Sequence, residues 1–91
     1  MDVKAAVKLA KEYVLDLFAE EEINNLGLEE VEFYEGEQIW SVTVGFSRPW
    51  ELPSNTFLAS LAKPSDRSYK IVRIDDKAGQ VKSVKNRAVP A

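Results

Sequence analysis

With no histidine and no cysteine among 91 residues, the fifteen carboxylates are the first side chains to weigh for chemistry. Paired carboxylates can hold a hard cation or move a proton. Two clusters have the right composition, Asp75-Asp76 and Glu20-Glu21-Glu22. Asp75-Asp76 stands just before Gly79, where acids close turns through their own backbone, and it lacks the further ligand spacing of a calcium loop. Four glycines in the whole chain form no phosphate-cradling loop. Disulfides, thiolate nucleophiles, zinc sites built on Cys or His and imidazole catalysis are excluded by composition. With nucleophile, base and metal ligands in no recognisable arrangement, the chain reads as a non-enzyme that needs no cofactor. The rival reading is an enzyme that works with carboxylates alone, which would require a deep cleft with two converging acids.

The basic side chains gather elsewhere. Glu12 to Glu37 holds ten acids and no base, whereas Lys63 to Arg87 holds eight bases and three acids. Lys70, Arg73, Lys82, Lys85 and Arg87 beside Tyr69 would suit a nucleic-acid surface. The net charge of −3 and a pI near 4.9 instead favour a solvated sheet face or a protein-docking face, with no nucleic acid expected. The segregation also bears on which elements pair in the fold.

The elements that carry these charges follow from periodicity. One domain spanning residues 1–91 fits the length, since a chain this small closes a single core. Asp2 suits an N-cap, and Val3, Val7, Ala10, Val14 and Leu17 form one apolar stripe, which predicts a helix over residues 2–22 with a left-handed stop near Asn24, Asn25 or Gly27. Lys4, Lys8 and Lys11 near its start and Glu20, Glu21 and Glu22 near its end oppose the helix macrodipole, an arrangement that a nearby basic strand or a partner would compensate. The period then becomes two. Strands are predicted at 28–35, with Val31 and Phe33 on one face and Glu30, Glu32 and Tyr34 on the other, and at 38–47, with Trp40, Val42, Val44 and Phe46 on one face. Glu35-Gly36-Glu37 supplies the turn between them. Tyr69, Ile71, Val72, Ile74, Val81 and Val84 mark a second hairpin over 68–75 and 80–86, closed by Gly79.

The expected architecture is α+β, a helix followed by four antiparallel strands (α-β-β-β-β). The core residues are expected to be Val7, Val14, Leu17, Trp40, Val42, Val44 and Phe46. Between the hairpins, Pro49, Pro53 and Pro64 exclude a central strand, leaving room for a short helix over Thr56 to Ala62 inside the 48–67 connection. Long connections of this kind often carry function. Its segment Arg48, Pro49, Trp50 and Glu51 combines a proline-restrained backbone with the two residue types that most often dominate interfaces, and is the expected partner-binding site.

The closing run YKIVRIDDKAGQVKSV, preceded by IWSVTV, resembles the PepSY-like and more broadly cystatin-like helix-on-sheet domains of bacteria. The resemblance covers the last two-thirds of the chain and implies a binding or inhibitory module acting on a protein partner. Pro49-Trp50 lies between the hairpins and the first turn reads Glu35-Gly36-Glu37, so no protease-inhibiting residue carries over from the cystatins. The N-terminal run mixes lysines and acids through its apolar residues, unlike a signal peptide, and no stretch reaches the ~18 apolar residues of a membrane span. Cytoplasmic residence away from membranes is the corresponding expectation.

Overall fold

The computed structural model describes residues 1–48 and 67–87. A helix α1 (Val3–Leu17) leads through a single 3-10 turn (Ala19–Glu21) into strands β1 (Asn24–Tyr34), β2 (Ile39–Ser47), β3 (Ser68–Asp75) and β4 (Gln80–Asn86). The strands form one antiparallel sheet in the order β1-β2-β3-β4, with the helix lying across β1, β2 and β3 on one face. This is the α+β helix-on-sheet arrangement that the two periodicities predict.

Asp2 caps the helix, its Oδ1 accepting the Ala5 N–H at 2.8 Å. The helix ends at Leu17, five residues short of the predicted stop. Phe18 takes the C-cap, donating its N–H to the Val14 carbonyl, and Glu22 takes the left-handed conformation at φ 50°. β1 consequently begins at Asn24, four residues earlier than the alternation suggests. Register shifts against β2 between Asn24 and Gly27 and between Leu28 and Glu30 erase the period of two there, and Asn25 turns left-handed within the strand at φ 58°.

The buried helix face is Ala6, Ala10 and Val14, each spaced by four, and the sheet answers with Trp40, Val42, Val44, Phe46, Val72 and Ile74. Two alanines at the contact let the helix approach the sheet closely, so the larger side chains come from the strands. Leu17 is a correction to the expected core. It is 53% exposed as the last residue of the helix, and Val3, the first, is 49% exposed. Val7 is half-buried against the cluster together with Leu9, Phe18, Val31, Phe33, Val81 and Val84. The rings of Phe33 and Trp40, neighbours across β1 and β2, pack with centroids 4.6 Å apart.

Both hairpins close with the same four-residue loop. Tyr34 pairs with Ile39 and Asp75 with Gln80, and the last loop residue of each has positive φ, Gln38 at 55° and Gly79 at 62°. Glu35-Gly36-Glu37 lies in the first turn as expected, and the left-handed position falls to Gln38. Its side-chain amide donates to the Glu35 carbonyl at 2.7 Å, a local bond that supports the strained residue. The two loops lie side by side, joined where the Asp76 N–H donates to the Gln38 carbonyl at 3.0 Å.

Candidate functional site

Strand order converts the charge segregation of the sequence into geometry. The acidic strand β1 and the basic strand β4 are the two outer strands, separated by β2 and β3 rather than paired with each other. On the face away from the helix, cross-strand neighbours form rows. Glu32, Ser41, Arg73 and Ser83 make one, and Glu30, Thr43, Ile71 and Lys85 make the next. Each row begins at a carboxylate on β1, passes a hydroxyl on β2 and reaches a cation, Arg73 on β3 in the first and Lys85 on β4 in the second.

One end of this face is filled. The Tyr69 ring lies so close over Gly45 that a Cβ there would meet its Cε1 at 2.9 Å, and the Arg87 guanidinium lies over the same ring, 4.3 Å from its centroid. Arg67 reaches over Gly27 to donate to the Asn25 carbonyl at 2.7 Å. Thr43 and Ser47 are buried, at 4% and 7% exposure.

The other end is an open groove of about 350 Å³, lined by Tyr34, Glu37, Ser41, Ile71, Arg73, Ser83, Lys85 and Asn86. That volume lies within the range of ligand-binding clefts. Its lining holds two cations, Arg73 and Lys85, against one carboxylate, Glu37. Arg73 donates from Nη2 to Glu37 Oε2 at 2.8 Å, while both side chains remain well exposed, at 43% and 66%. An ion pair so exposed is worth about 0–1 kcal/mol and exchanges readily with other partners. At the groove's edge Tyr34 donates its hydroxyl to Glu32 at 3.0 Å, and that hydrogen bond to a carboxylate raises the phenol above its ordinary value.

Of the basic residues weighed from the sequence, Arg73 and Lys85 line the groove, whereas the expected partner-binding segment and the paired acids fall elsewhere. Arg48 packs its guanidinium 5.2 Å from the Phe18 ring and 5.3 Å from the Phe46 ring and lies 3.6 Å from Glu21. It joins the end of β2 to the turn after the helix, and the cation beside Glu21 comes from the residue after β2 rather than from a basic strand. Pro49, Trp50 and Glu51, and the short helix considered over Thr56 to Ala62, lie outside the described residues.

Asp75 and Asp76 serve the turn. Asp75 Oδ1 accepts the Ala78 N–H at 2.9 Å, and Asp76 Oδ1 accepts both the Trp40 indole N–H at 2.8 Å and the N-terminal amine at 3.2 Å. The indole bond first, and then the amine, hold the Asp76 carboxyl below the ordinary aspartate range. Among the described residues no three His, Cys, Asp or Glu side chains converge to hold a metal, and no helix is long and apolar enough to cross a membrane.

The groove as a site escapes a reading of the sequence, although its cations Arg73 and Lys85 stand out there, because no single strand contains its residues. Alternation places Ile71 with Arg73 and Ser83 with Lys85, but only the cross-strand register brings the pairs together with Ser41 and Tyr34. No protein-family model, curated protein or solved structure matches the chain.

Proposed function

We propose that this chain is a small non-catalytic interaction module that docks a protein partner on the open face of its sheet. The observation that carries the reading is the groove around Arg73, a concave opening on a face whose charge runs from acidic at β1 to basic at β4. Complementary charge selects and orients a partner more than it tightens the complex, and a surface with both signs fixes one orientation. Among the described residues the groove's lining holds a single carboxylate rather than the paired acids that a carboxylate-only enzyme would use. The likeness of the closing hairpin to PepSY-like and cystatin-like binding domains points the same way, toward a regulatory or inhibitory role.

Photo-cross-linking from defined positions tests this. A cross-linking residue placed at Ser83, in the groove, should give a discrete protein adduct in the source cell that Arg73→Ala abolishes, and one placed at Lys8 on the exposed side of the helix should give none. Adducts formed from Lys8 and absent from Ser83 would overturn the reading.

A further inference from the structure

The groove's chemistry names the segment it takes. Arg73 pairs with Ser83 and Ile71 with Lys85, so Arg73 and Lys85 are diagonal neighbours on adjacent strands of one face. Diagonal positions lie roughly 7 Å apart, and side chains two residues apart on an extended chain are separated by about the same distance, ~6.8 Å. Two acids flanking one residue of an extended segment therefore meet both cations at once. Ser41 and Ser83 stand beside them as hydroxyl donors for the carboxylate oxygens, Ile71 offers an apolar floor to the methylenes of the two acids, and the intervening side chain points away from the groove.

The Arg73 guanidinium already holds a carboxylate, that of Glu37, in an exposed pair. Glu37 sits on the loop between β1 and β2 and occupies the position that an incoming acid would take.

We propose that the groove binds an extended acidic segment of a partner protein, of the pattern acid, any residue, acid, with Arg73 and Lys85 each taking one side-chain carboxylate and Glu37 acting as a built-in competitor. This rests on the protein-docking reading above and specifies its partner. A nucleic acid fits less well, because its continuous negative charge would also face Glu30 and Glu32 along β1.

The test is fluorescence anisotropy with an end-blocked, labelled peptide, Thr-Glu-Val-Glu-Thr, and its Thr-Gln-Val-Gln-Thr counterpart as the control for charge. The acidic peptide should bind saturably, and the Gln peptide at least about tenfold more weakly, since charge-assisted bonds to Arg are the strong ones. Arg73→Lys, which keeps the charge and loses the planar fork, should weaken binding several-fold. Glu37→Gln should tighten it by about threefold or more, because the competing carboxylate is gone. Thermal melts of both variants confirm that the fold is intact. Equal binding of the two peptides, weaker binding by Glu37→Gln, or displacement of the peptide by a short single-stranded DNA at equal concentration would each overturn the proposal. Failure of the acidic peptide to bind while Ser83 still cross-links a protein would remove this inference and leave protein docking on the sheet standing.

Discussion

The indole N–H of Trp40 donates to Asp76 Oδ1 at 2.8 Å, fastening a core ring on β2 to the turn between β3 and β4. The same oxygen accepts the N-terminal amine. One carboxylate thus links the helix start, the middle of the sheet and the second hairpin, which gives the fold a pH-sensitive fastening.

Because that carboxyl is held below its ordinary range, its contribution to stability is complete above the unfolded value, near pH 4 for aspartate, and fades as pH falls through the lower folded value. Asp76→Asn should therefore melt below the wild type at neutral pH, and the gap should close on acidification below about pH 4. Melting curves across that range, with the Trp40 indole proton followed by NMR, check both the sign and the residue. A gap that stays constant with pH would show that the charge of Asp76 contributes nothing.

The matched loops make a second prediction. A left-handed residue other than glycine costs roughly 1–2 kcal/mol, part of which Gln38 recovers through its bond to Glu35. Gln38→Gly should stabilise by up to about 1 kcal/mol, raising the melting temperature by about 4–8 °C in a domain of this size. Gly79→Ala should do the reverse. Among the described residues a Cβ there meets only Met1 Cε, at 3.8 Å, an ordinary contact, so the loss reports φ rather than crowding.

The helix interface predicts opposite sensitivities at two apolar sites. Ala10 is fully buried under the sheet, and Ala10→Leu should cost about 1–3 kcal/mol by overpacking. Leu17 is half exposed at the end of the helix, and Leu17→Ser should fall within about 0.5 kcal/mol of the wild type. Chemical denaturation of the two variants separates these outcomes.

The hairpins are legible in the sequence wherever alternation is uninterrupted, as in Trp40, Val42, Val44 and Phe46, all buried on one side of β2. Where a bulge intervenes the pattern fails, and the start of β1 and the end of α1 blur into each other around Glu22 and Asn25. The first turn is legible at Glu35-Gly36-Glu37, while nothing in the composition marks Gln38 as the residue that adopts the unusual backbone. The groove was less legible still. Its position depends on registers between strands, including β3 against β4, where the pairing shifts between Arg73 and Ile74. The charge partition was visible as two blocks, but its meaning changed once the meander placed them at opposite edges of one sheet.

Amide NMR spectra of the chain, recorded with and without the Thr-Glu-Val-Glu-Thr peptide, test the docking surface most directly. Shifts should gather at Ser41, Ile71, Arg73, Ser83 and Lys85, with Ala6, Ala10 and Val14 on the far side of the sheet unmoved. Shifts that cluster on the helix or around Arg48, with the groove amides unchanged, would contradict the assignment of the open face as the binding surface.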